Sequence, residues 1–404
     1  MSGATASARL FQTNDIAERY RLYAELAESG PVHRVILPHG RSAWLICRYA
    51  EARAALTDPR LVRAEPSLAA ELDPDLHSAI NNNLQNVDLP DHGRLRRLVG
   101  AALTRTCADD LESRIQQLTD ELLDPLVQRA AGAGFDLIGD FARPLPIAVL
   151  CALLGVPESE QEQFRQWSWA DRNAIEIGEH AYSRAAAAFV EHVRRLAASR
   201  RARPGDDLVT ALLAARDGHD QLTEDELTST IHVLLATGYE TMTNLLGNGI
   251  HLLLSDRQQW RSLCGAPELV PGTVEELLRT SGPLQTTTPR VAVETFEFAG
   301  VTIEEGDTAL VALLAANRDA TAWPFPDSID VDRSPNKHLA FGHGIHACVG
   351  APLARVEARI ALTSLLSRFP DLRLTTAPDG VTAEPGCSVN GLTALPVTTR
   401  PAPC

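Results

Sequence analysis

Phe341-Gly342-His343-Gly344-Ile345-His346-Ala347-Cys348-Val349-Gly350 gathers one cysteine, two histidines and three glycines into ten positions. The residues that follow, from Ala351 and Pro352 to Leu362, alternate apolar and charged side chains in the manner of an amphipathic helix. Cys348 thus falls at or just before a helix N-terminus, where free backbone N–H groups and the helix dipole favour a thiolate. Gly342 and Gly344 open backbone conformations closed to other residues and let a flat ligand approach. Pro352 stands in the first turn, where a missing N–H costs little. A lone cysteine is ordinarily a small buried hydrophobe. What sets this one apart is its setting.

The rest of the chain is that of a globular protein. Of 404 residues, 45% are hydrophobic and 22% charged, and the formal charge is −15. That length exceeds the usual single core, so two domains are the default. The acidity argues against nucleic acid or an anionic membrane as partner. The N-terminal residues lack the apolar core of a signal peptide, and no apolar run approaches the ~20 residues of a membrane span. Seven scattered cysteines without metal-type spacing point to a reducing cytoplasm and no disulfides.

Taken in order, residues 15–29 read as a helix stopped at Gly30-Pro31, residues 32–37 and 43–47 as paired strands, and 49–57 as helix. Residues 64–90, with Pro66, Pro74 and Pro90, read as one long loop. Asp91 opens a helix on which His92 and Arg96, four apart, share a face. As a bare pattern this is a solvated basic face or a carboxylate-binding pair. Residues 109–131, 136–154 and two stretches between 158 and 203 read as helices, with Trp167, Trp169 and Tyr182 as packing residues. Thr223 and Glu226 form a capping box that starts a long helix over about 223–254, ~45 Å at 1.5 Å per residue. Gly238, Glu240 and Thr241 interrupt its apolar run, and Gly238 alone lowers helix stability by about 1 kcal/mol. Glu276 and Arg279 face together on a further helix. Residues 284–291 read as extended chain, residues 291–315 as a small antiparallel sheet, and residues 386–391 as a terminal hairpin.

Phe-Gly-x-Gly-x-His-x-Cys-x-Gly at 341–350 resembles the haem-ligand loop of the cytochrome P450 family, and the other motifs fall in that family's order along nearly the whole chain. The resemblance implies a mainly α fold with a small β region, a single haem-thiolate domain over residues 1–404, and one haem b with Cys348 as the axial ligand of its iron. It places Phe341 and Gly350 against the haem and His92, Arg96, Arg290 and His346 on its propionates. Glu240-Thr241 matches the family's acid–alcohol pair, beside which the helix distorts and protons are delivered. Thr237 occupies a slot usually held by a small residue. Leu284, Gln285, Thr286, Thr287 and Thr288, with Ser388 and Val389, are expected to line the substrate pocket, as is Thr237. Glu276 and Arg279, joined by Arg333, match the family's buried structural ion pair.

The implied chemistry is insertion of one oxygen atom from O2, by hydroxylation or epoxidation, into a bulky, largely apolar small molecule. The sequence style resembles soluble bacterial members that tailor polyketides and other secondary metabolites. Electrons would pass from NAD(P)H through a separate ferredoxin reductase and ferredoxin, docking on the Cys348 side near Arg94, Arg97 and Arg105, to a cytoplasmic monomer. A non-oxygenase haem-thiolate sensor has no need of Glu240-Thr241; peroxide-driven oxygenation in the same pocket and a haem-free helical binding protein are the other readings.

Overall fold

In the computed structural model, residues 9–63, 72–106, 110–132, 134–172, 179–215 and 220–399 are described. The chain forms two compact units. The first comprises Met1–Ala64, Thr119–Pro144 and Thr241–Cys404; the second comprises Glu65–Leu118 and Leu145–Glu240. Neither is a contiguous stretch, so the units are not successive domains joined by a linker.

All the described strands belong to the first unit. Five of them, β1 (Val32–Ile36), β2 (Ser42–Ile46), β3 (Leu61–Arg63), β5 (Arg290–Ala292) and β8 (Thr308–Val311), form one sheet in the order β1-β2-β8-β5-β3. β4 (Phe135–Asp136), β9 (Arg373–Leu374) and β10 (Pro396–Thr398) form a second, in the order β4-β10-β9, and β6 (Phe296–Phe298) with β7 (Val301–Ile303) a hairpin. The pairs within the stretch expected as antiparallel, β5 with β8 and β6 with β7, are antiparallel, while β2 and β8 run parallel and make the five-stranded sheet mixed. A parallel pair is stable when both its faces are covered, and alternation along the strands does this. Ala43, Leu45, Leu310 and Ala312 point into one apolar cluster with Leu22, Tyr23 and Leu26 of the helix Ile16–Ser29. Ile46, Ala309 and Val311, one step out of phase, point into another with Ala52, Leu56 and Phe298. The β6–β7 turn at Ala299-Gly300 has φ of 49° and 84°, the two positive angles that a tight hairpin turn demands.

The described elements of the second unit are all helical: Pro74–Asn81, Asp91–Thr106, the start of Asp110–Ala131, Pro144–Leu154 from Leu145, the short turn Glu158–Glu160, Gln161–Arg172, Glu179–Ala202, Leu208–Ala214 and the first half of Glu224–Ser255. The stretch expected as one loop over 64–90 therefore contains the helix Pro74–Asn81. Its Asp73 cap accepts from Leu76 N at 3.0 Å and its proline stands at the first position. Nor is 136–154 a single helix. β4, a five-residue π-helical turn at Ile138–Ala142 and the helix Pro144–Leu154 share it, because Asp136 pairs with Pro396 and Pro144 starts afresh. Trp167 stacks on Phe189 and Tyr182, ring centroids 4.8 and 5.8 Å apart. The side chain of Trp169 lies outside the described ones.

Candidate active site

The long helix Glu224–Ser255 starts on the expected box: Thr223 N donates to Glu226 Oε2 at 2.9 Å, and Glu226 N donates to Thr223 Oγ1 at 3.2 Å. Its 32 residues run on unbroken through Gly238, so the distortion expected beside Glu240-Thr241 is not present as an interruption of the helix. Gly238 instead allows close packing. A Cβ there would stand 3.3 Å from Leu150 Cδ1, within the second unit. Exposed Thr237 turns its hydroxyl back on the helix: Oγ1 donates to the Val233 carbonyl at 2.6 Å. Its polar end is thereby occupied within the helix and its methyl is left to shape the surface there. Glu240 and Thr241 are both half-buried.

The loop at 341–350 is closed by its own backbone. Gly342 N donates to Leu339 O at 2.8 Å, Ala347 N to Gly344 O at 3.1 Å, and Cys348 N to Phe341 O at 2.8 Å. Gly342 and Gly344 take φ of 71° and 75°, which side-chain-bearing residues rarely adopt. At Gly344 a Cβ would also come 2.9 Å from Thr57 Cγ2 and 3.2 Å from the Leu56 carbonyl oxygen. Gly350 caps the helix Ala351–Arg368, with Pro352 in its first turn. A Cβ at Gly350 would lie 3.9 Å from Cys348 Sγ, so its absence leaves the sulfur's surroundings open. Among the described cysteines, Cys47 and Cys151 are buried, Cys264 and Cys387 partly so, and Cys348 is exposed. Burial pushes the Cys47 and Cys151 thiols up to about 12, as befits inert core residues.

Arg290 stands in β5, buried, and its guanidinium donates to the Leu61 carbonyl at 3.0 Å and the Leu56 carbonyl at 3.3 Å. Leu56, which ends the apolar face of the helix Tyr49–Thr57, thus contacts both Arg290 and the backbone of Gly344 and brings them together. His346 lies half-buried in the short turn Gly344–His346. In the second unit His92 is buried and Arg96 half-buried on the helix Asp91–Thr106. Arg94, of the expected docking patch, shares its guanidinium between Asp220 at 3.3 Å and Glu226. Arg97 is exposed and donates to the Gly93 carbonyl at 3.0 Å. The side chain of Arg105 lies outside the described ones.

Glu276 and Arg279 are fully buried in a bidentate pair, with Nε–Oε1 2.7 Å and Nη2–Oε2 2.8 Å. The remaining Arg279 donors go to the carbonyls of Asn317, Pro326 and Ser328 at 3.1, 2.7 and 2.9 Å, which uses all five guanidinium N–H groups. Arg333, Asn336 and the Asp330 N–H complete the set on Glu276, at 3.1, 2.9 and 2.8 Å. Burial alone would raise the Glu276 carboxyl, but these donors hold it below its ordinary value. Asn317 ties this cluster to the segment that leads into the cysteine loop: Leu339 N donates to Asn317 Oδ1 at 2.6 Å, and Leu339 O accepts from Gly342 N.

The expected pocket wall divides. Gln285 and Thr286 are buried and serve the structure instead: Gln285 Nε2 donates to the Val389 carbonyl at 2.6 Å and the Gly386 carbonyl at 2.9 Å. Its Oε1 accepts from Tyr23 Oη at 3.2 Å, while Thr286 Oγ1 donates to the Cys387 carbonyl at 2.8 Å. Their bonds to the 386–389 backbone hold them inward, so Leu284, Thr287, Thr288, Ser388 and Val389 remain as the half-buried or exposed members. Sequence reasoning missed Glu275, His338 and Arg355, which surround Phe341. Their signal was present only as spacing, Arg355 seven residues beyond Cys348 and Glu275 beside Glu276.

Among the described residues no group of three or more histidines, cysteines and acids could hold a bare metal ion, and no helix is long and apolar enough to cross a membrane. The cytochrome P450 family model matches residues 268–380. Cytochrome P450 107B1 of Saccharopolyspora erythraea is 42% identical over 391 residues, 94% of this chain and 95% of that protein. Mycinamicin IV hydroxylase/epoxidase of Micromonospora griseorubida is likewise 42% identical, over 93% of this chain and 94% of its own. Among solved structures, the Bacillus subtilis bacillaene polyketide synthase cytochrome P450 PksS matches with a TM-score of 0.87 and 35% identity, over 95% of this chain and 97% of that one. With its mainly helical fold and small sheets and this degree of identity along almost its full length, the chain belongs to the cytochrome P450 family of monooxygenases.

Proposed function

We propose that this oxidoreductase inserts one oxygen atom from O2 into a bulky, largely apolar natural-product intermediate, by hydroxylation or epoxidation. The observation that carries the reading is exposed Cys348, held by a closed glycine-bearing loop at the N-terminus of the helix Ala351–Arg368. A soft anionic donor with open space beside it suits haem iron. When bound there, haem b supplies reductive activation of O2, with the thiolate favouring O–O cleavage.

In this reading the chain's own residues divide the work. Cys348 holds the iron, and Phe341 and Gly350 shape the sulfur's surroundings. His92, Arg96, Arg290 and His346 bind the two propionate carboxylates, for which guanidinium geometry is well suited. Thr241 Oγ1 holds a proton on the substrate side, and the Glu240 carboxylate replenishes it from solvent. Leu284, Thr287, Thr288, Ser388, Val389 and the Thr237 methyl shape the substrate pocket. Relatives named for mycinamicin IV and for a polyketide support a substrate of that class. Electrons come from NAD(P)H through a separate ferredoxin reductase and ferredoxin, in the cytoplasm, with exposed Arg97 as a described member of the arginine patch that would meet an acidic ferredoxin.

Substrate-binding titrations against a natural-product library, followed by the spin-state change of the iron, identify the substrate. With that substrate and a surrogate ferredoxin system, Thr241→Ala is expected to bind haem and substrate normally but to consume NAD(P)H without matching product. Full coupling in that variant removes Thr241 from proton delivery.

A further inference from the structure

The cysteine loop rests on a charged cluster that this chemistry leaves unused. Arg355, in the helix that follows Cys348, lays its guanidinium over the face of Phe341, 4.6 Å from the ring centroid. Glu275 holds it there by a two-point pair, Nε–Oε1 2.6 Å and Nη2–Oε2 2.9 Å. Glu275 Oε2 also lies 3.1 Å from His338 Nε2, and the His338 ring centroid is 5.9 Å from that of Phe341. The Ala340 N–H donates to His338 Nδ1 at 3.3 Å, so the hydrogen bonds assign the proton to Nε2, which donates to Glu275. Arg355 and His338, joined by Glu275, thus flank Phe341, whose carbonyl accepts from Cys348 N at 2.8 Å.

Stability does not account for this arrangement. The Arg355 side chain is 42% exposed and that of Glu275 27%, and such pairs add little to folding. What the fork supplies is a fixed orientation for one cation. That cation is shared: the hydrogen bonds of Glu275 hold Arg355 above the usual arginine range, and the charge of Cys348 acts in the same sense. Charges and hydrogen bonds around a ligating sulfur set a metal's reduction potential.

We propose that Arg355, oriented by Glu275, is a positioning residue that sets how much positive charge the Cys348 sulfur feels and so how readily the iron bound there is reduced. The proposal rests on Cys348 being the axial ligand. The opposite charges of the pair make it testable by sign. Spectroelectrochemical titration of the haem-loaded protein should show Arg355→Gln taking up an electron at least threefold less readily, a shift of about 30 mV at 59 mV per tenfold. Glu275→Gln, which leaves the cation uncompensated, should shift the potential the other way by a similar factor. The double variant should fall between the two, and Arg355→Lys should recover most of the wild-type value.

Shifts of the two single variants in the same direction, or none reaching threefold, overturn the proposal; the first result would mean that the cluster only packs the loop. The reduced, CO-bound spectrum of each variant separates this from the underlying reading. If the thiolate-type band is present throughout while the potentials coincide, only the tuning role falls. If the folded wild type lacks that band, the ligand assignment falls and the tuning role with it.

Discussion

Cys348 and Glu357 stand nine residues apart on the same loop and helix and show how environment divides otherwise plain side chains. Glu357 is 2% exposed, and burial pushes its carboxyl up to about 8. Between the unfolded value near ~4.3 and that raised value the fold binds one more proton than the unfolded chain, so stability falls as pH rises through this window. Glu357→Gln, an isostere of the neutral acid, should therefore stabilise the protein at pH 8 by about 4 kcal/mol and change little at pH 4. Thermal unfolding at the two pH values checks this, and equal effects at both would contradict it. Glu275 has the opposite sense. Burial raises it, but the hydrogen bonds of His338 and Arg355 prevail and hold it at about 2. Its contribution is present above the unfolded value and lost as pH falls from ~4.5 towards about 2; with its partner half in solvent we expect well under the full shift, about 0.5–1 kcal/mol. Glu275→Gln should accordingly narrow the gap in unfolding free energy between pH 5 and pH 2.5.

At the scale of elements, the motifs that close on local hydrogen bonds were the legible ones. Thr223 and Glu226 announce the start of the long helix, and the box is there in both directions. Glu226 also binds Arg94, a partner 132 positions away that no spacing rule points to. Thr223→Ala should lower stability by about 1 kcal/mol, as for other lost caps; Glu226→Ala should cost more, since it frees Arg94 as well. Chemical denaturation at neutral pH measures the difference, and equal losses would remove the Arg94 contact from the account. The buried cluster on Glu276 behaves likewise on a larger scale. Removing its charge in Glu276→Gln leaves Arg279 buried and uncompensated, for which about 3–5 kcal/mol is the usual loss. What sequence missed was decided by distant partners. The helix Pro74–Asn81 was hidden among prolines, though Asp73-Pro74 is a helix start in itself. β4 exists because β10 pairs with it from the far end of the chain. Gln285 reads as a pocket residue until its amide is seen bonded to the Gly386 and Val389 carbonyls, about a hundred positions away.

Over the whole molecule, most helices, the β1–β2 pair and the cysteine loop could be read from local patterns, whereas the mixed sheet order β1-β2-β8-β5-β3 could not. The β2–β8 pairing joins residues more than 260 positions apart, and only the two apolar clusters that cover the sheet explain it. The division into two units was equally invisible, because each is assembled from segments far apart in the chain. The candidate site follows the same rule. Cys348, Thr241 and the Glu276 cluster were legible as motifs, while the Glu275–Arg355–Phe341 contact became visible only once three segments met. The central claim is that Cys348 binds haem iron as a thiolate, and the reduced, CO-bound absorption spectrum tests it most directly. The account predicts the strongly red-shifted Soret band of thiolate ligation in the wild type and its loss in Cys348→Ala; an unshifted band in the folded wild type, or a shifted band that survives the substitution, would contradict it.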